Sequence, residues 1–219
     1  MILKSFGCSF IFGSELHDDG YGGPMTTPSQ HTWPALLAKD LGYEYQCHAH
    51  PGSGNLQILE QLLNQLSVVV PDVCVIGWTW IDRFDYIDPL NDHWKTVTPT
   101  DTDENANFYY KNLHSQYRDK FTSLTAIKMA IDALQKRNIK FIMTYMDELI
   151  FETNWHCTPA IIDLQNGIRP YLINFEGDNF LEWSRKKGFP IGTRGEHPLE
   201  DAHQAAFELI RRVKYLKES

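Results

Sequence analysis

Residues 1–10 read MILKSFGCSF. The run Met1-Ile2-Leu3-Lys4-Ser5-Phe6 predicts a short buried strand over residues 2–6. It gives way at once to Gly7-Cys8-Ser9-Phe10, where Gly7 permits a tight turn. A serine at that point emerges at the carboxyl edge of a sheet, which is where open α/β folds bind ligands. A strand-anchored hydroxyl of this kind is well placed to act as a nucleophile. A Gly-x-Ser triplet is also an ordinary turn, so its meaning depends on the rest of the chain.

Outward from this strand, short apolar segments at 43–47, 73–76 and 140–145 predict three more strands. Helical patterns lie between them. Residues 32–41 begin with Thr32 as a cap and Pro34 in the first turn. Residues 55–66 put Leu59, Leu62, Leu63 and Leu66 on one face. Residues 113–137 space Tyr117, Phe121, Leu124, Ile127, Ile131 and Leu134 at helical intervals, and residues 199–216 do the same with Ala206, Leu209, Ile210, Val213 and Leu216. Strands alternating with helices predict a parallel sheet covered on both faces, with right-handed crossovers. The expected fold is a flavodoxin-like three-layer α/β/α sandwich. A fifth strand is expected at 188–191. The chain reads as one domain over 1–219 with long loops at 13–31, 81–108 and 147–178; loops of this length are usually functional or disordered.

Near the other end stands Gly195-Glu196-His197-Pro198, just ahead of the last amphipathic pattern. With Ser9 first and His197 last, the chain resembles the SGNH (GDSL-type) hydrolases. Gly7-Cys8-Ser9-Phe10 is similar to their nucleophile block, with Cys8 where aspartate is common. Gly52-Ser53-Gly54-Asn55 is similar to the glycine-bearing second block, and Gly77-Trp78-Thr79-Trp80 occupies the place of the third. His197-Pro198, with His203 six residues on, is similar to the last block. Between the first two, Trp33-Pro34-Ala35-Leu36-Leu37-Ala38 and Leu41-Gly42 match a helix often seen there. The resemblance implies the same three-layer fold and a serine hydrolase acting on an acyl ester.

In that chemistry Ser9 is the nucleophile and His197 the base, and backbone amides stabilise the oxyanion. The amides of Ser9 and of Gly54 or Gly52 are the expected donors. The third block of the family supplies an oxyanion asparagine, but here Thr79 stands in its place, and Asn55 is the expected substitute. The aspartate that the family often has three residues before the histidine is replaced by Arg194. Glu196 adjoins His197 but is badly placed for Nδ1, so a Ser-His dyad oriented by a backbone carbonyl is expected. His203 reads as structural. Trp78 and Trp80, with Phe84, Tyr86 and Trp94, read as a platform for a sugar ring or acyl chain, or as apolar anchors at the sheet edge. Arg83 adds a cation for an anionic substrate or a surface ion pair. The expected substrate is a small-molecule or glycan acyl ester, with a carbohydrate O-acetyl group preferred. The alternative is a non-catalytic binding module on the same fold.

Composition excludes other classes. The 219 residues, 42% hydrophobic and 22% charged, suit a soluble globular protein with a full core. A net charge of −8 argues against nucleic-acid binding, which needs clustered Lys and Arg. No apolar run approaches the ~20 residues of a membrane span, and no leader is evident at Met1. Neither a P-loop nor a dinucleotide fingerprint occurs, so no cofactor is expected. Cys8, Cys47, Cys74 and Cys157 form no CxxC pair, and reduced thiols in a cytoplasmic protein are expected. His48 and His50 fall on one side of an extended segment, but with His17 or Asp18 they make no zinc spacing, and no metal is expected.

Overall fold

The computed structural model describes residues 1–20 and 26–212. Its main sheet has five parallel strands: β1 (Ile2–Gly7), β2 (Glu44–Cys47), β3 (Val73–Trp78), β6 (Lys140–Tyr145) and β7 (Leu172–Ile173), in the spatial order β2-β1-β3-β6-β7. Strands β4 (Phe84–Asp88) and β5 (His93–Val97) form a separate antiparallel hairpin. The helices are α1 (Ser9–Phe12), α2 (Trp33–Leu41), α3 (Asn55–Val68), α4 (Glu104–Asn112), α5 (Gln116–Lys136), α6 (Pro159–Ile168), α7 (Phe180–Lys187) and α8 (Glu200–Ile210).

The strand period of two sorts residues between two cores. Leu3, Val73, Val75 and Ile142 face a layer holding Trp33 and Leu37 of α2, Trp183 of α7 and Ala206 and Phe207 of α8. Phe6, Cys74, Ile76 and Met143 face a layer holding Ile58 and Leu62 of α3, Leu124, Ile127 and Ile131 of α5 and Ile161 of α6. This is the three-layer α/β/α sandwich that the alternation predicts. Local signals start and stop the helices as expected. Thr32 caps α2 by accepting from the Ala35 amide, Pro34 sits in the first turn, and Gly42 closes the helix at φ 67°.

Three expectations need correction. The fifth strand is β7, not 188–191. With only two residues, β7 has no period to read, and it is defined by its pairing with β6. Residues 188–191 instead lead to a single antiparallel bridge between Ile191 and Pro198, and the Gly192 amide donates to the His197 carbonyl at 2.8 Å. The segment is a clip that presents His197. The stretches 81–108 and 147–178 are not plain loops either. The first holds the hairpin and the start of α4; the second holds a 3-10 turn (Glu148–Phe151), α6 and β7. Of the last helical pattern, Val213 and Leu216 lie outside the described residues.

The hairpin is pinned to the sandwich by aromatic packing. Phe84 stacks on Tyr109 at 3.9 Å and 3°, and the Arg118 guanidinium from α5 lies 4.5 Å over Phe84. The four cysteines are free thiols. Among the described residues no helix is long and apolar enough to cross a membrane.

Candidate active site

The carboxyl ends of β1 and β3 come together through two glycines. Gly7 and Gly77 are register partners. A Cβ at Gly7 would lie 2.6 Å from the Ile11 side chain and 2.9 Å from the Gly77 carbonyl, and one at Gly77 would lie 2.5 Å from Ile11. Only glycine at both positions lets α1 settle onto the strand ends. Ser9 is thereby the first residue of a one-turn helix directly above the sheet, 7% exposed. Its amide belongs to the first turn, which has no intrahelical acceptor. Gly13, at φ 85°, ends this turn with its amide on the Ser9 carbonyl.

The chain then places Glu15 at φ 70°, a left-handed conformation unusual for a side chain of this size. The Glu15 carboxylate accepts from the backbone amides of Arg194 (2.6 Å), Gly195 (2.9 Å) and His197 (3.3 Å). It also lies 2.7 Å from His197 Nδ1. Close approach again requires glycine: a Cβ at Gly192 would run into the Glu15 carboxylate, and one at Gly195 into the His197 ring. Burial pushes the Glu15 carboxyl up, but its hydrogen bonds with the Arg194 amide, the His197 ring and the Gly195 and His197 amides outweigh this and hold it at about 2. An ionised Glu15 makes His197 Nδ1 the donor and leaves Nε2 with the lone pair.

The expected dyad is therefore corrected: His197 has a carboxylate partner, supplied from the segment after Ser9 and not from the residues before the histidine. Glu196 points elsewhere and pairs with Arg185 at 2.5 Å. The His197 ring rests on Phe10, the neighbour of Ser9, at 4.9 Å between centroids. Ser9 Oγ and His197 Nε2 are not hydrogen-bonded to each other.

The second block also arrives at this edge, since the His50 amide donates to the Gly7 carbonyl at 3.0 Å. Gly52 follows at φ 86°. Two expected oxyanion donors are engaged elsewhere. The Gly54 amide donates to Asp85 Oδ1 at 2.9 Å, and the Leu56 and Gln57 amides donate to Asp85 Oδ2 at 2.9 and 3.1 Å. Asp85, reaching in from β4, thus caps α3 and is held in place by Thr96 Oγ1 at 2.6 Å. The Asn55 side chain accepts from the Thr79 amide (2.9 Å) and donates to the Thr79 carbonyl (3.2 Å) and Ser123 Oγ (3.0 Å). It ties the second block to the third and has no amide hydrogen free in this arrangement. Of the four expected contributors beyond Ser9, Gly52 and Thr79 remain. Thr79 Oγ1 is buried without a partner.

No protein-family profile matches the chain, and no curated protein matches it. Solved structures do. One is the acetyl xylan esterase Est2A from the rumen bacterium Butyrivibrio proteoclasticus, with 14% identity and a TM-score of 0.54 over 99% of this chain and 64% of that one. Another is the psychrotrophic esterase EstA from Pseudoalteromonas sp., with 12% identity and a TM-score of 0.54 over 99% of both chains. A third is a member of the lipolytic protein G-D-S-L family from Veillonella parvula, with 13% identity and a TM-score of 0.51 over 97% of this chain and 100% of that one. The fold is that of the SGNH hydrolases. The chain spans 64% of the length of Est2A.

On this SGNH fold the remaining expected residues separate. Trp78 cannot serve as a platform: it is 1% exposed within the α3/α5 core, because it continues the buried face of β3. Trp80 is half-buried and meets Phe10 edge-on at 5.6 Å, so Trp80, Phe10 and His197 form a continuous aromatic wall. Arg83 lies 5.1 Å over Trp80 and donates to the Ser53 carbonyl at 3.0 Å, which makes it a brace between the hairpin and the second block. His203 is structural. It is 1% exposed, and its Nδ1 accepts from the Trp33 amide at 3.2 Å. Burial pushes its pKa down to about 3.

Sequence reading missed Glu15 and Asp85. Glu15 lies in a polar, Gly-rich stretch with no periodicity, and nothing local marks its left-handed backbone. Asp85 lies in a segment read as loop, where its strand partner Thr96 could not be foreseen.

Proposed function

We propose that this protein is a serine esterase that hydrolyses a small acyl ester, with an O-acetyl group on a carbohydrate as the substrate class. Ser9 Oγ attacks the ester carbonyl while His197 Nε2 takes its proton. The tetrahedral oxyanion is held by the Ser9 and Gly52 amides and the Thr79 hydroxyl. Collapse expels the alcohol, which receives the proton from His197, and leaves an acyl group on Ser9. Water, deprotonated by His197, then releases the carboxylic acid and restores Ser9. Glu15 fixes the tautomer of His197 and stabilises its protonated form.

The observation that carries this reading is the 2.7 Å contact between Glu15 and His197 Nδ1, on a carboxylate that also accepts three backbone amides. A carboxylate so placed orients an imidazole beside the Ser9 turn. Trp80, which meets Phe10 edge-on and carries Arg83 5.1 Å over its ring, supports a polar, ring-bearing alcohol, and the likeness to an acetyl xylan esterase supports the same choice.

A binding module is the second reading. It is favoured by the engagement of the Gly54 amide with Asp85 and of the Asn55 side chain with Thr79 and Ser123, which thins the oxyanion hole. Losing one such donor typically costs ~2.7–4 kcal/mol of transition-state stabilisation. A fluorophosphonate probe separates the two readings. The esterase is labelled at Ser9, and Ser9→Ala and His197→Ala abolish both labelling and p-nitrophenyl acetate hydrolysis. A folded wild type that is not labelled, or that turns over no faster than Ser9→Ala, would leave the binding module.

A further inference from the structure

We infer that His17, Asp18 and His31 form a binding site for a divalent transition-metal ion, with zinc the preferred occupant. Their candidate ligand atoms all lie within 4.8 Å of one another. The His17 and His31 rings are 4.3 Å apart between centroids, and His31 Nε2 is 3.8 Å from Asp18 Oδ2. This site involves neither Ser9 nor His197 and does not rest on the esterase reading.

Two further features point to a cation. Asp18 is already anchored, because its Oδ2 accepts the Gln30 amide at 2.8 Å, yet its Oδ1 is buried with no partner. A buried carboxylate oxygen without a donor is unfavourable, and a cation bound by this carboxylate would offset that cost. His17 is also oriented from behind: its Nδ1 lies 2.9 Å from Glu200 Oε1. A histidine whose one nitrogen donates to a carboxylate offers the other to a metal, the usual outer arrangement of histidine–zinc sites. Glu200 is itself held by the His17 amide at 2.9 Å.

The donor set selects the ion. Two imidazoles and one carboxylate suit zinc, with water as a fourth ligand. Magnesium and calcium prefer all-oxygen cages. The pair that drew attention in the sequence, His48 and His50, takes no part. His48 stacks on Phe6 at 5.4 Å, and its Nε2 is buried without a partner.

The placement also suggests what an ion would do. His17 and Asp18 follow Glu15 closely in the chain, and Glu200 opens α8 just after His197. A metal bound here would brace both ends of the Glu15–His197 contact from outside it.

The test uses the whole chain, stripped of metal, at pH 7.5. Zinc is titrated in competition with a chromophoric chelator, cobalt(II) binding is followed by visible absorption, and melting is recorded with and without zinc. The expected result is one zinc per chain, an intense tetrahedral cobalt spectrum and a raised Tm. His31→Ala and Asp18→Asn should weaken zinc by ~100-fold or more, and Glu200→Gln by about 10–100-fold as an outer-shell partner. His93→Ala, a histidine on the hairpin, should bind as wild type does. Circular dichroism checks that each variant is folded. Zinc affinity unchanged in folded His31→Ala, no zinc binding by wild type, or an equal Tm rise with magnesium would each overturn the site.

Discussion

The Glu15 carboxylate lies 2.7 Å from His197 Nδ1, across 182 residues of chain. The two are joined because one backbone clip, residues 192–197, wraps its amides around the carboxylate while the ring of its last residue turns onto the same oxygen. The acid is fixed by backbone hydrogen bonds, so its position does not depend on the histidine it serves. The carboxylate partner of His197 is thus supplied from the segment after Ser9, and not from the residues ahead of the histidine.

Glu15→Gln should lower kcat by about 10²–10⁴, the range expected when an orienting acid is lost and the wrong tautomer is favoured. KM should change little, since the contact acts mainly in the transition state. The ¹⁵N shifts of His197 give a readout independent of turnover: wild type should show the proton on Nδ1, and the variant should not. The Glu15 carboxyl is held low, so its stabilisation is present above its ordinary value near 4.5 and is lost as pH falls toward 2. Unchanged ¹⁵N shifts would remove Glu15 from its positioning role.

Thr79→Val should raise stability and lower activity together. Its hydroxyl is buried without a partner, and replacing such a group by an apolar isostere relieves a desolvation cost of ~1–3 kcal/mol. If the same hydroxyl meets the oxyanion, kcat falls while KM holds. Urea midpoints and steady-state kinetics on one ester test both halves. A more stable variant with unchanged kcat would take Thr79 out of the oxyanion hole.

Asp85→Ala should cost ~1–2 kcal/mol, the usual loss on removing a helix cap, and lower Tm by about 2–8 °C for a chain of this size. The amides of Gly54, Leu56 and Gln57 lose their common acceptor together. Asp85→Asn keeps one carbonyl acceptor and should recover part of the loss. Calorimetry of the three proteins checks the order wild type, Asn, Ala.

His203→Asn should flatten the acid limb of the stability curve. His203 is neutral in the fold, with its pKa pushed down to about 3 by burial, while in the unfolded chain it titrates near 6.5. Between these values the unfolded state binds more protons, so stability falls as pH drops from 6.5 toward 3 with a limiting slope of ~1.4 kcal/mol per pH unit. Asparagine keeps an acceptor for the Trp33 amide without the titration. Urea midpoints at pH 4, 5, 6 and 7 measure the slope, and an unchanged slope would assign the acid limb to other groups.

The sequence alone determined the sandwich and the strand end that carries Ser9. Those features rest on local pattern: the apolar run 2–6, the helical spacing of Leu124, Ile127 and Ile131, and the Thr32 and Gly42 caps act over a few residues and leave a readable period. The tertiary structure decided the rest. Strand β7 is two residues long and exists through its pairing with Met143 and Thr144. Trp78 belongs to the core because β3 is buried on both faces. The Gly54 amide faces Asp85, and Glu15 faces His197, through contacts spanning 31 and 182 residues. A hydrogen bond across such a distance leaves no periodicity in the chain: its partners meet because packing of the sheet, the hairpin and the clip fixes them in space, and a polar residue in an aperiodic segment looks the same in sequence whether or not that partner exists.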